Sequence, residues 1–263
     1  MPSTQHSPKQ NQLLAELTAS DYESILPHLE LLPIPRGWSA CDSGVGQSNV
    51  YFPTNSIISL IHAAANGNTA EVAVTGNDGL VGIPLLMGED TTGRTIARSA
   101  GFAYRLPFSA LKTRFEQGGP LQDLLLRYAQ SLMTQIAQTV ICNRCHTLEQ
   151  RLCRWLLMSL DRLPSAQLTT TRRMMADMLN AHRDGVTEAT RRLQMDGAIS
   201  YSHGRITVID RFKLEAWACE CYSVVSREAK RLLSGKTPRS ARRPGMPSPT
   251  AHVDDHRNRL TAT

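Results

Sequence analysis

Apolar residues recur at helical spacing between Leu168 and Asp196, then switch to strict alternation. Met174, Met175, Met178 and Leu179 form one apolar face. Before them stand Thr169, Thr170 and Thr171, and a hydroxyl in that place can accept from an unpaired N–H at the helix start. Asn180-Ala-His182 predicts a break, because Asn tolerates the left-handed backbone of a helix end. A second helix is predicted from Arg183 to Asp196, closed by Gly197. Its inner face is Val186, Ala189, Thr190 and Leu193, and its outer face is Arg183, Asp184, Thr187, Glu188, Arg191 and Arg192. Ile199-Ser-Tyr201 and Ile206-Thr-Val-Ile209 alternate around the turn Ser202-His-Gly-Arg205, which reads as a hairpin. The unit is a helix-turn-helix with a wing. Long polar residues at the start of the second helix suit a DNA major groove; the alternative is a small helical domain with a solvated charged face.

Upstream, residues 1–10 are expected to be disordered, and Asn11–Leu17 and Ser20–Leu29 to be short helices, the second capped by Ser20 with Glu23 completing a capping box. From Leu31 to Leu106 the pattern is one of short strands between Gly-bearing turns: Val50–Phe52, Ser56–His62, Ala70–Val74 and Ile96–Leu106. Such spacing predicts a barrel or sandwich. Phe108–Phe115 is a short helix, and Pro120 opens a long one reaching about Cys145. Along it Leu125, Ala129, Leu132, Ile136 and Thr139 follow the 4-3-4-3 spacing of a coiled-coil seam, with Leu121, Leu124 and Tyr128 as a second stripe. Two stripes predict packing on its own domain and on a second copy. Leu148–Leu163 is amphipathic and stops at Pro164, and Phe212–Leu233 is predicted as one helix.

The formal charge is +6. Between Lys236 and Thr263 six basic residues face two acidic ones, a net +4 that leaves the rest near +2. Overall charge therefore says little about a polyanionic partner, and local placement decides. The tail from 235 to 263, rich in Pro, Ser and Arg, is expected to be a disordered basic tail. With no long apolar run and no secretory signal at the N-terminus, no membrane partner is expected and the location is expected to be cytoplasmic, with reduced cysteines.

The segment LNAHRDGVTEATRRLQMDGAISYSHGRITVIDR resembles the C-terminal domain of the Crp–Fnr family of bacterial transcription regulators, as does Glu215-Ala-Trp-Ala-Cys-Glu-Cys-Tyr222. The upstream helix LRYAQSLMTQIAQTVICNRCHTLEQRLCRWLLMSLDRLP is similar to one subgroup, so the resemblance covers about residues 11–234. It implies an α+β fold. An N-terminal double-stranded β-helix (a cyclic-nucleotide-binding-like β-roll) would span 11–119 as a sensor. A dimerisation helix would span 120–146, and a winged helix-turn-helix 147–234. It also implies double-stranded DNA, a second copy and RNA polymerase as partners. Matched by position, Arg183, Asp184, Thr187 and Glu188 would read bases. Thr170, His182, Arg191, Arg192 and Arg205 would meet phosphates, contacts that fix register without reading sequence. Family members often carry Arg at the position of Glu188, so the preferred base sequence does not carry over.

Cyclic-nucleotide-binding relatives hold the ribose with a Gly-Glu pair and the phosphate with Arg-Ser or Arg-Thr. One register takes Gly82, Arg94 and Thr95 as the effector site, with Ile83 where the carboxylate would stand; another takes Gly88-Glu89 and Arg98-Ser-Ala100 and disturbs the strand register. No cofactor is expected, cyclic nucleotide being the one candidate. Cys142-Asn-Arg-Cys145-His146 spells the c-type haem pattern at the end of a helix, without the export signal such attachment needs. Cys219 and Cys221 are expected to point apart on one helix, and the histidines show no ligand spacing, so no metal site is expected. No Walker loop, nucleophile elbow or nucleophile–base set appears, and no enzyme is expected. The rival reading is a cyclic-nucleotide- or small-ligand-binding adaptor without a DNA role.

Overall fold

Asn11 begins the packed chain and uses its whole side chain. Its Oδ1 accepts from the N–H groups of Leu13 and Leu14, capping α1 (Gln12–Glu16). Its Nδ2 donates to the carbonyls of Pro53 and Gly79, tying that helix to the strands. The computed structural model describes residues 6–40, 48–63, 65, 69–88 and 93–234. Disorder had been expected up to residue 10, yet Pro8–Gln10 forms a 3-10 turn started by Ser7; residues 1–5 and the predicted tail 235–263 lie outside the described residues. The second helix, α2 (Ala19–Ile25), is capped by Thr18 and not by Ser20. The Thr18 hydroxyl accepts from the Asp21 N–H and donates to the Asp21 carboxylate, which satisfies the first turn two residues early.

Six strands follow among the described residues: β1 (Glu30–Ile34), β2 (Asn49–Pro53), β3 (Ile58–Ala63), β4 (Thr69–Thr75), β5 (Arg94–Ala97) and β6 (Gly101–Pro107). They make two antiparallel sheets, ordered β1-β6-β2 and β4-β3-β5. The single strand predicted over Ile96–Leu106 is therefore two, one in each sheet. Ile34, Tyr51 and Ala103 from one sheet meet Ile58 and Ala97 from the other, so the sheets face each other across an apolar layer. A second layer of Phe52, Leu106, Leu111, Leu121 and Leu125 closes one end with α3 (Phe108–Glu116) and α4 (Pro120–Cys145).

The 26 residues of α4 give it a length of about 39 Å. Part of the predicted seam is turned inward. Leu125 and Ala129 are buried in this chain's own core, and Leu132, Ile136 and Thr139 are half-buried. The reason is how the sheet grips the helix. Tyr128 hydrogen-bonds Thr75 and the Leu80 carbonyl, and Gln135 accepts from the Val74 N–H while donating to the Val74 carbonyl. Those contacts turn the predicted stripe inward and leave Leu126, Met133, Val140 and Ile141 exposed on the opposite side.

Beyond α4 come α5 (Leu148–Leu160), β7 (Gln167–Thr169), α6 (Arg172–Leu179), α7 (Arg183–Met195), β8 (Ile199–Ser202), β9 (Arg205–Val208), α8 (Arg211–Trp217) and α9 (Glu220–Leu233). Thr147 and Gln150 form a capping box at the start of α5. The core of this half holds Leu152, Leu156, Met175, Met178, Val186, Ala189, Leu193 and Leu214. Ile57 and Val74 from the strand half join it, so the two halves share packed surface. The helix predicted over Phe212–Leu233 breaks: Ala218 is extended, and Cys219 turns inward against Cys142. Among the described residues no helix is long and apolar enough to cross a membrane.

Candidate nucleic-acid interface

Thr171, the last of the three threonines, caps α6 by accepting from the Met174 N–H at 3.2 Å. Asn180 takes the left-handed conformation at φ 45°, and the chain turns into α7 at Arg183. The predicted inner face of α7 (Val186, Ala189, Thr190 and Leu193) is buried throughout. Gly185 lets α7 sit close against α5, since a Cβ there would stand 2.9 Å from Leu148. The wing is β8 and β9, turning through His203 at φ 50° and Gly204 at φ 74°. β7 adds a third strand against β9, an element the threonine run concealed. Arg172 lies over the Tyr201 ring at 4.8 Å and ties the start of α6 to the wing.

His182, Arg183 and Asp184 are exposed at the start of α7, with Thr187 and Glu188 half-exposed behind them. The Thr187 hydroxyl donates to the Arg183 carbonyl at 3.0 Å. Glu188 is the centre of an ionic network. Arg191 donates to both of its carboxylate oxygens at 2.8 and 2.9 Å, and Arg192 to one at 3.0 Å. Arg192 reaches back to Glu149 on α5 at 2.8 Å. Hydrogen bonds from Arg191 and then Arg192 hold the Glu188 carboxyl down to about 2. Arg205 is exposed at the wing. Thr170 stands elsewhere than expected: it is 2% exposed, its N–H bonds the Gly204 carbonyl, and its hydroxyl is buried, so it offers no surface to a phosphate.

Residues 150–217 match the family model described as a Crp-like helix-turn-helix domain. This segment is a Crp-like helix-turn-helix domain. It runs from α5 through the wing to α8. No curated protein matches the chain. Among solved structures, FixK2 from Bradyrhizobium japonicum superposes with a TM-score of 0.62 at 14% identity, over 73% of this chain and 98% of that one. A CRP/FNR-family transcriptional regulator from Thermus thermophilus gives 0.57 at 20%, over 72% and 98%. The c-di-GMP-responsive global regulator of Xanthomonas campestris gives 0.56 at 16%, over 73% and 99%. The likeness spans both halves of the chain and is one of fold.

Of the residues predicted to hold an effector, Gly82 and Thr95 come together and Arg94 does not join them. Thr95 is buried while Arg94 is exposed, because neighbours on a strand point to opposite faces. Gly82 and Thr95 line a cavity of about 50 Å³ under Leu132 of α4, together with Ile58, Leu80 and Val81. A nucleotide-sized ligand needs roughly 300 Å³ or more. The rival register fares no better. Arg98 donates to Ser59 and pairs with Glu71, and Ser99 accepts from the Ile57 N–H. Burial raises the Glu71 carboxyl and lowers the Arg98 guanidinium. Glu89 lies outside the described residues.

Behind the Crp-like domain, four side chains converge that the sequence reading had set apart. Cys142 and His146 close the last turn of α4, and Cys219 and Cys221 come from the α8–α9 corner. Their ligand atoms all lie within 4.8 Å of one another. The Cys142 and Cys219 sulfurs are 3.5 Å apart, and the Cys221 sulfur is 3.6 Å from His146 Nδ1. A hydrogen bond from Cys142 favours the thiolate on Cys219 and lowers it, while the same bond and burial raise Cys142. The expectation that Cys219 and Cys221 point apart fails because the helix breaks before Cys219. The i, i+4 spacing of Cys142 and His146 was the legible signal, masked by the haem-like reading of the same five residues.

Proposed function

We propose that the chain is a sequence-specific DNA-binding transcription regulator of the Crp–Fnr type, acting as a homodimer on palindromic sites and working with RNA polymerase. The observation that carries this is α7: an inner face wholly buried, and an N-terminal turn of Arg183, Asp184 and Thr187 left facing outward beside a wing. That is the geometry by which a second helix enters the major groove. Arg183 and Thr187 read bases, and Asp184 and Glu188 set which bases are refused. His182, Arg191, Arg192 and Arg205 meet phosphates, with Arg191 and Arg192 sharing their charge with Glu188.

Pairing uses the exposed face of α4. Leu126, Met133 and Val140 recur every seven residues on that face, and a second copy of the same helix covers them. Two α7 helices then stand on opposite half-sites. The strand half gates the pair through the grip of Tyr128 and Gln135 on α4. The test is selection of bound sequences from a random DNA pool by the full-length protein at fixed salt. Enrichment of a palindrome, lost in Arg183→Ala, supports the proposal; no enrichment from a folded dimer refutes it.

A further inference from the structure

We infer that Cys142, His146, Cys219 and Cys221 form a closed, four-ligand site for one Zn²⁺ ion, which fastens the end of α4 to the α8–α9 corner. This stands whether or not α7 reads DNA. The first argument is spacing. A tetrahedral zinc ion takes sulfur at about 2.3 Å and nitrogen at about 2.0 Å, which sets neighbouring ligand atoms about 3.5–3.8 Å apart. Two of the pairs here are 3.5 and 3.6 Å apart, and none of the ligand atoms is farther than 4.8 Å from another. An iron–sulfur core would sit between its thiolates and hold them wider than one ion does.

The second argument is the orientation of the histidine. Its Nδ1 faces the sulfurs, and its Nε2 lies 3.1 Å from Glu220 Oε1. A carboxylate on the far nitrogen is the usual partner that aims an imidazole at a metal and raises its basicity. The third is charge. Three thiolates, a neutral imidazole and Zn²⁺ sum to a net −1, buried where Cys142 and Cys221 are fully enclosed. Arg154 is itself 7% exposed and acts electrostatically on both of those cysteines, and Arg151 acts on Cys142. Both arginines keep a buried Nε with no hydrogen-bond partner among the described residues. An anionic metal–thiolate centre gives those donors a counter-charge. Binding is acid–base chemistry only: the ion displaces the thiol protons to solvent, and no electron moves. A set of four protein ligands leaves no open position, so the ion is structural.

The test uses full-length protein made with zinc in the medium and kept under reductant. One zinc per chain is expected by elemental analysis, retained through gel filtration. X-ray absorption should give three sulfurs and one nitrogen around it. Exchange for Co²⁺ should give the intense visible bands of a tetrahedral thiolate site, an observation on the unaltered chain. Cys221→Ser and His146→Ala should each lose the stoichiometric ion, while Cys145→Ser, an exposed neighbour outside the cluster, should keep it. Metal-free protein that shows no cobalt bands on reconstitution would overturn the inference. So would zinc retained in Cys221→Ser, or stoichiometric iron with cluster absorption in place of zinc.

Discussion

Arg162 and Asp78 join the two halves of the chain with a two-point ion pair: Nη2 lies 2.7 Å from Oδ2, and Nε lies 3.0 Å from Oδ1. Arg162 follows α5 in the Crp-like half, and Asp78 sits in the turn after β4. Arg162 also donates to the Met158 carbonyl, and its aliphatic stem packs so closely on Gly76 that a Cβ there would lie 2.6 Å away. The pair is nearly buried, so loss of one partner strands the other.

Arg162→Met should therefore destabilise the protein by roughly 3 kcal/mol, the scale for breaking a buried pair from one side. Urea unfolding followed by tryptophan fluorescence measures it. Arg162→Met combined with Asp78→Asn should cost less than the two singles added, because no charge is then left alone. Full additivity would mean the pair is not coupled.

Burial pushes the Tyr128 hydroxyl well above its ordinary value. Above about pH 10 the unfolded chain releases that proton while the folded chain keeps it, so stability present below pH 10 falls as pH rises. Tyr128→Phe should cost about 1 kcal/mol at pH 7 through its lost hydrogen bonds. Its stability should then decline less steeply between pH 10 and 11 than the parent's. Equal slopes in both proteins would show that Tyr128 titrates as if exposed.

Met133→Glu with Val140→Glu should give a folded monomer, since both side chains face away from this chain's core. Sedimentation velocity reads the mass and circular dichroism the fold. Affinity for a palindrome should drop by at least about 100-fold as the second half-site contact is lost. Ala129→Glu, placed in the predicted seam, should instead unfold the strand half, because Ala129 packs in its core. The opposite pattern would restore the seam to Leu125 and Ala129.

Glu188→Gln frees Arg191 and Arg192 from their shared carboxylate. Each further phosphate contact steepens the dependence of log affinity on log salt by about 0.9. The variant should bind random DNA more tightly at low salt, with a slope steeper by about 1–2, and discriminate its site less. Because the Glu188 carboxyl is held at about 2, it contributes no change in DNA binding between pH 5 and pH 8. An unchanged salt slope would mean that both arginines already lie on phosphates.

The helix-turn-helix was legible because its signals are local. Met175, Met178, Val186, Ala189 and Leu193 repeat at helical spacing, Asn180 marks the turn, and Gly204 marks the wing. Residues 150–217 match the Crp-like model over that same stretch. Which face of α4 lies inward was not legible. Two apolar stripes run along it, and which one meets the sheet is fixed by Tyr128 and Gln135 finding Leu80 and Val74, partners about 50 to 60 residues away. The break at Ala218 carries no proline or glycine, so nothing local announced it. The thiol cluster needs that break, and was therefore invisible without it. The different burial of Arg94 and Thr95 follows from the two-residue period of a strand, which no motif spelled out in sequence conveys.

Gln135 clasps a single residue of the sheet from both sides, its oxygen on the Val74 N–H and its nitrogen on the Val74 carbonyl. Sliding the helix lengthwise by one residue would break both bonds and present no replacement, because the next strand residue points its amide the other way. Turning the helix a few degrees about its own axis would bend both bonds and break neither. The clasp thus resists sliding of α4 along the sheet and tolerates its rotation, so in the proposed pair a signal acting through it would swing the two α7 helices instead of sliding them apart.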